Sequence, residues 1–263
     1  MATNFKEKYG GAALITGASS GLGEVFARKI AEQGMDIVLV ARNEEKLKSL
    51  AAEIKEKYGV NAWPLSVDLT KIDAAVEVKK KTDALGIKVG MLVNNAGFGS
   101  HGKFHQLDPV VELQMIDLNI RTPVALTAAY LPAMVANKKG ALIFLSSVGA
   151  YQPTPYFANY SATKTYNLMF GEALWGELRE HNVDCIALSP GYTRTEFQTR
   201  AGVSSSPVGG WAAPEKVVER CLNKLGKKSS TIYGFRNWFL AWSIRFTPRR
   251  IAILAAGNLS RPS

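Results

Sequence analysis

The chain has 263 residues, 47% of them hydrophobic, and a formal net charge of +10, the size and composition of a folded domain with a sizeable core rather than a disordered or fibrous chain. The charge is concentrated: nine basic residues and no acidic one lie from Arg220 to the end, which leaves only +1 for residues 1–219 and gives no reason to expect the folded core to bind nucleic acid. Cys185 and Cys221 have no CxxC or Cys/His spacing, and His101, His105 and His181 match no ligand pattern, so neither a disulfide framework nor a metal site is expected.

In chain order, Asn4 to Lys8 is polar and an apolar run begins at Ala12, leaving no room for the apolar core of a signal peptide. A reducing, cytoplasmic location is the expectation. Ala12-Ala13-Leu14-Ile15 meets Thr16-Gly17-Ala18-Ser19-Ser20-Gly21-Leu22-Gly23, after which Val25, Phe26, Ile30 and Ala31 recur at helical spacing. This reads as strand, glycine-rich turn, helix. Glycines let the backbone approach a pyrophosphate, and free N–H groups at a helix start bind it, although the spacing is GxxxGxG rather than GxGxxG and glycines also serve simply to turn a chain. The next strand, Asp36 to Ala41, ends at Arg42-Asn43. An acidic residue there would hold a ribose 2′-hydroxyl, whereas arginine pairs with a 2′-phosphate, so the expected cofactor is NADP(H).

A helix over 44–58, a strand over 60–67 ending at Asp68 and Leu69, a helix over 71–85 and a strand over 89–93 running into Asn94-Asn95-Ala96-Gly97 continue the alternation. Such alternation predicts a doubly wound parallel sheet with ligands at the carboxyl ends of its strands. A helix from about 109 to 130 carries Asn119, a residue that mid-helix wants either solvent or a task. After a strand over 141–145, Ser146-Ser147 and a loop, a helix places Tyr160 and Lys164 four apart on one face. An ammonium beside a phenol favours the phenolate and suits it to proton transfer near neutral pH, although such a pair also occurs by chance on surface helices. A strand over 183–188 leads to Pro190-Gly191-Tyr192-Thr193-Arg194-Thr195. The Gly-, Ser- and Pro-rich segment 196–213 suggests a loop over the site, and a helix over 214–226 and a strand over 231–233 close the alternation.

With TGASSGLG, NNAG, Asn119, Ser147, YSATK and PGYTRT in that order, the sequence resembles the short-chain dehydrogenase/reductase family, and most of all the branch of DltE-like oxidoreductases, hydroxysteroid dehydrogenases and very-long-chain 3-oxoacyl-CoA reductases. The resemblance implies a Rossmann-type, doubly wound α/β sheet of seven parallel strands in residues 1–233, with 234–263 as an extension of the same domain. GxxxGxG is that family's form of the phosphate turn. The resemblance implies a catalytic set of Asn119, Ser147, Tyr160 and Lys164: Tyr160 exchanging the proton, Lys164 holding the nicotinamide ribose and lowering the phenol pKa, Ser147 bonding the substrate oxygen, and Asn119 holding a water beside Lys164. It further implies cofactor contacts from Gly17, Ser19, Ser20, Gly21, Leu22 and Gly23 at the phosphates. Asp68 would meet the adenine, Asn95, Ala96 and Gly97 would line the cleft, Thr193 and Thr195 would fix the carboxamide, and Leu69, Pro190 and Gly191 would also contact the cofactor. A homo-oligomer pairing the helices of Asn119 and Tyr160 is expected.

Tyr151, Tyr156, Phe157, Tyr192 and Phe197 suggest an apolar pocket, hence a lipophilic ketone, 3-oxoacyl thioester or secondary alcohol, though core packing would use the same residues. In the extension, Trp238, Phe239, Trp242 and Phe246 interleave with Arg236, Arg245, Arg249 and Arg250. That pattern fits peripheral membrane contact and fits equally packing on the domain, on a second subunit or over the substrate pocket. A nucleotide-sensing regulator that kept the fold and lost the chemistry is the alternative function, and the complete set of four site residues argues against it.

Overall fold

In a computed structural model, the structure describes residues 4–195 and 211–262. Strands β1 (Ala12–Thr16), β2 (Asp36–Ala41), β3 (Ala62–Ser66), β4 (Val89–Asn94), β5 (Gly140–Leu145), β6 (Val183–Ser189) and β7 (Ser230–Ile232) form one sheet in the order β3-β2-β1-β4-β5-β6-β7. Every neighbouring pair is parallel. Both faces of such a sheet are covered, so its strands are apolar throughout rather than alternating. Ala13, Ile15, Ile37, Leu39, Met91 and Val93 point to one face, beneath helices α1 (Phe5–Tyr9), α2 (Gly21–Ala31) and α3 (Glu44–Tyr58). Leu14, Val38, Val40, Leu92 and Phe144 point to the other, beneath α4 (Ala74–Ala84) and the long helices that follow. Each large side chain buried here contributes roughly 1.5–3 kcal/mol.

The expected elements are present with ends shifted by a few residues. Two departures have physical causes. The polar N-terminus contains α1, because Asn4 caps it, accepting from Lys6 N and Glu7 N, while Phe5 and Tyr9 are buried. The Tyr9 hydroxyl and Lys8 Nζ both donate to Asp184 Oδ2, at 2.9 and 2.7 Å, tying this helix to β6. Two buried apolar residues were too few to register as a helical pattern.

The second departure is in the long helix, which comprises α5 (Pro109–Ile116), a π turn (Asp117–Arg121) and α6 (Thr122–Ala136). Thr122 N bonds to Asp117 O across the π turn, one residue further back than an α-helix allows. Asn119 sits in that turn.

Helix α7 (Ala158–Leu178) carries Tyr160 and Lys164, and α8 (Pro214–Lys224) precedes β7. The extension forms α9 (Phe235–Ser243) and α10 (Arg249–Ser260). Of the expected loop, residues 196–210 lie outside the described residues, as does Phe197. Ala212 N donates to Tyr192 O at 2.9 Å, and Arg194 N donates to Ala212 O at 3.1 Å, so the segment after β6 is paired at its base. Among the described residues no helix is long and apolar enough to cross a membrane, and no cluster of potential metal ligands occurs. Cys185 and Cys221 are both free and buried.

Candidate active site

The order of the sheet reverses between β1 and β4, and it is outside the carboxyl ends of strands at such a point that open α/β sheets bind ligands. A cleft of about 970 Å³ opens there.

Its first wall is the turn after β1. Gly17 and Gly21 have φ of +66° and +59°, a region that residues with a Cβ rarely adopt. A Cβ on Gly17 would lie 2.9 Å from Asn95 Nδ2, and one on Gly23 would lie 2.3 Å from Gly17 O. Asn95 clamps the turn: its Nδ2 donates to Thr16 O at 2.8 Å, while Asn95 N and Ala96 N both donate to Thr16 Oγ1 at 3.0 Å. Ser20 stands at the N-cap of α2 without a side-chain hydrogen bond into the helix, so the first-turn N–H groups remain for a ligand. This backbone cradle, together with the uncapped helix start, fits the pyrophosphate of a dinucleotide. Gly17, Ser19, Ser20, Gly21 and Leu22 line the cleft, whereas Gly23 lies behind it, packing α2 onto the turn.

At the far end of this wall, Arg42 and Asn43 follow β2. Arg42 is exposed at the cleft, and Asn43 caps α3, its Oδ1 accepting from Lys46 N at 2.9 Å. That cap brings Lys46 to the same wall, a second cation that the sequence reading missed although it stands four residues after Arg42. Asp68 faces them. Burial would raise its pKa, but Thr70 donating from N and Oγ1, at 3.1 and 2.9 Å, and the charges of Arg42 and Lys71 outweigh that and hold it below the usual carboxylate value. Leu69, Asn95, Ala96 and Gly97 complete the floor.

Another wall carries Ser147, Tyr160 and Lys164. Ser147, after β5, accepts from Gly149 N at 3.2 Å and stands beside the half-buried Tyr160. Lys164, only 5% exposed, donates from Nζ to Leu145 O at 2.9 Å, and its ammonium lies 5.8 Å from the Tyr160 ring centroid. Their spacing of four along α7 puts both side chains on one face, as expected. Their pKa values differ from that expectation. Burial pushes Tyr160 up to about 12, against a hydrogen bond with Ser147 that lowers it, and burial pulls Lys164 down to about 8. Desolvation, which disfavours charge, is the largest cause at both groups, raising the acid and lowering the base.

Asn119 does not line the cleft. Fully buried, it donates from Nδ2 to Phe98 O at 2.9 Å and to Thr163 Oγ1 at 3.0 Å, and its Oδ1 accepts from Phe98 N at 3.2 Å. Its own carbonyl, displaced by the π turn, accepts from Asn167 Nδ2 at 2.9 Å. Asn119 thus joins the strand β4 loop to the helix of Tyr160, and a Cβ on Gly97 would lie 2.8 Å from its Oδ1 and 3.2 Å from Lys164 Nζ.

Pro190, Gly191, Thr193 and Thr195 line the end of the cleft after β6, Thr193 Oγ1 donating to Gly191 O at 3.1 Å. Of the aromatic pocket candidates, Phe157 and Tyr192 line the cleft. Tyr151 instead packs beside Ala150, Leu168 and Ala187, and its hydroxyl lies 3.4 Å from Ser189 Oγ. Tyr156 is not a wall residue either; it takes a positive φ of 67° in the loop before α7.

The remaining wall is the extension, in one of the placements that its sequence left open. Asn237, Leu240 and Ala241 of α9 and Ala256, Leu259 and Ser260 of α10 line the cleft, with Asn237 packed against Gly191. His101 Nε2 sits 2.7 Å from Ser260 O and its ring stacks on Phe157 at 4.5 Å. Aromatic and basic residues along 235–250 gave no sign of which helix face would meet the domain.

Residues 11–204 match the short chain dehydrogenase family. The chain belongs to that family. It is similar to the very-long-chain 3-oxoacyl-CoA reductase of Macaca fascicularis, 31% identical over 95% of this chain and 79% of that protein. It is likewise similar to the 7beta-hydroxysteroid dehydrogenase of Collinsella aerofaciens, 34% identical over 89% and 90%. Among solved structures, a 7beta-hydroxysteroid dehydrogenase superposes with a TM-score of 0.88 at 31% identity, covering 97% of this chain and 99% of its own. A short-chain dehydrogenase from Sphingobium yanoikuyae in complex with NADPH gives 0.79 at 31% identity over 90% and 94%. The short-chain dehydrogenase is therefore an oxidoreductase by family, and its seven-stranded parallel sheet is the family's Rossmann-like fold.

Proposed function

We propose that this short-chain dehydrogenase is NADP(H)-dependent and interconverts a lipophilic carbonyl compound and the corresponding secondary alcohol, with Tyr160 exchanging the hydroxyl proton. The observation that carries the reading is the convergence of Ser147, Tyr160 and Lys164 on the same cleft as the glycine cradle.

The nicotinamide, when bound, supplies or accepts the hydride. The chain's residues do the rest. The uncapped start of α2 and the Gly17–Leu22 backbone hold the phosphates, and Arg42 with Lys46 pairs the 2′-phosphate, a charge-assisted contact that a 2′-hydroxyl cannot replace. Ser147 donates to the carbonyl oxygen, and Tyr160 delivers a proton to it as negative charge develops there. The high pKa of Tyr160 keeps the phenol protonated at neutral pH, the form that reduction requires. Lys164 holds a buried positive charge beside that phenol. Asn119 is a positioning residue, fixing α7 against the loop after β4 through Thr163 and Phe98.

The lipophilic class is supported by the wall itself, where Phe98, Leu118, Phe157, Leu240 and Leu259 face the polar trio, and by the relatives, named for 3-oxoacyl-CoA and hydroxysteroid substrates. A second copy has a place to pair on α5 and α7, where Val110, Leu113, Tyr166 and Met169 are exposed. The test is NADPH oxidation across ketones and oxoacyl thioesters by wild type and Tyr160→Phe. A loss of about 10²- to 10⁴-fold with NADPH binding retained is expected. Residual turnover near wild type would refute the proton role, and NADPH binding without turnover of any substrate would leave a nucleotide sensor.

A further inference from the structure

The C-terminal helices have two faces, and only the inner one is used by the cleft. On the outer side Phe235 and Phe246 are 76% and 72% exposed, and Trp238, Phe239 and Trp242 are about half exposed. These rings form one continuous row: Phe235 to Trp238 at 5.9 Å, Trp238 to Trp242 at 6.3 Å and Trp242 to Phe246 at 4.8 Å between centroids. Ile251 and Leu254 of α10 extend the exposed apolar surface. Soluble chains rarely leave so much contiguous apolar surface unoccupied. Arg236, Arg245, Arg249 and Arg250 flank it, all exposed and none in an ion pair among the described residues.

We propose that this face docks on an anionic lipid bilayer. Aromatic rings and leucines enter the headgroup boundary while arginines meet the lipid phosphates, the pattern of helices that lie in the membrane plane. Neither helix can span: α9 covers nine residues and α10 twelve, against the roughly 20 that a bilayer core needs. The charge selects the occupant. A second copy would bring the same four arginines against these, with no acidic residue after Glu219 on either side, and like charges at contact repel. A second copy also has the separate apolar surface on α5 and α7.

The two helices that carry this face also carry part of the cleft wall on their other side, where Leu240 and Leu259 line the cleft and are 48% and 66% exposed. On the reading proposed above, a lipophilic substrate would pass from the bilayer to Tyr160 without crossing bulk water.

The experiment is co-sedimentation of the full chain with vesicles of phosphatidylcholine alone or mixed with phosphatidylglycerol, read together with tryptophan emission and sedimentation velocity without lipid. Wild type is expected to bind the mixed vesicles, to shift its emission to the blue and to release at high salt. Trp238→Asp/Trp242→Asp and Arg249→Glu/Arg250→Glu are each expected to reduce binding by about tenfold or more with melting temperature unchanged. If the aspartate pair alters melting, the glutamate pair, whose positions are solvent-exposed, decides. Wild type remaining in the supernatant, or variants binding as well as wild type, would overturn the proposal. So would a solution oligomer that Trp238→Asp/Trp242→Asp dissociates while vesicles stay unbound, since the face would then join two copies. Binding is read without turnover: a chain that binds vesicles but oxidises no NADPH keeps this inference and loses the enzymatic reading, and the converse result does the opposite.

Discussion

The glycine turn and the C-terminal helices line one cleft, and different forces hold them. Around the turn, backbone atoms sit so close that a single methyl group on Gly23 would meet Gly17 O at 2.3 Å, and the polar groups of Thr16 and Asn95 satisfy one another. The C-terminal wall rests on small buried side chains such as Ala241 and Ala256 and on leucines that are about half or more in solvent, with His101 Nε2 against Ser260 O as a polar tie. The first wall tolerates no change of shape, which suits a ligand part that never varies. The second, with Leu240 and Leu259 48% and 66% exposed, leaves more room for a change of side chain.

That contrast can be broken experimentally, beginning with the rigid wall. Gly23→Ala is expected to abolish dinucleotide binding and to destabilise the fold by about 1–3 kcal/mol, as overpacking of a closed site does. NADPH fluorescence titration and thermal melting would show it, and a variant that binds NADPH normally would mean that the turn is looser than its distances imply.

Lys164→Met probes the reactive side through pH. Burial lowers the Lys164 pKa from 10.5 to about 8, so between those values the unfolded chain holds a proton that the folded chain has released. Stability of the wild type therefore gains from this group as pH rises through that window, and below it the buried charge is a fixed cost. From pH 7 to about 10.5 the methionine variant's stability relative to wild type should fall by on the order of 3 kcal/mol. Urea titrations of both proteins across that range give the difference, and a flat one would show Lys164 to be as well solvated when folded as when unfolded.

Smaller effects belong to the outer parts. Arg42→Ala should raise the KM for NADPH about tenfold with little change for NADH, as expected for one solvent-exposed charge-assisted contact. Equal changes for both cofactors would remove the 2′-phosphate assignment. Leu259→Ala should shift kcat/KM between bulky and small ketones by roughly 3- to 10-fold, the worth of a few methylenes in an open pocket, with the melting temperature unmoved. A loss of stability instead would make α10 part of the core rather than a replaceable wall.

The sheet and the cofactor wall were legible because local chemistry dictates them. Apolar runs bounded by Thr16-Gly17 and Asn94-Asn95 can be little else than strands ending in turns, and Tyr160 and Lys164 share a helix face whatever surrounds them. What was not legible depends on long-range packing. Only the closed structure brings Leu240 and Leu259 to the cleft that Gly17 lines, sets Lys46 beside Arg42 on one wall, and withdraws Tyr160 and Lys164 from water far enough for desolvation to dominate their pKa values. Asn119 lay between these cases: its unease within a helix was visible, and the π turn that accommodates it was not.

That turn also sets the angular phase of the helix that contains it. One residue advances an α-helix by about 100°, so the extra residue within 117–121 lets Gln114 and Leu118 face the cleft while Leu126, Tyr130 and Met134 face the sheet. Deleting a residue there would restore regular helical bonding and yet swing everything upstream of it by more than a quarter turn. The irregularity acts as a gear tooth: it keeps two stretches of one rod engaged with two different surfaces, and the alignment of the cleft wall with the sheet depends on a single supernumerary residue.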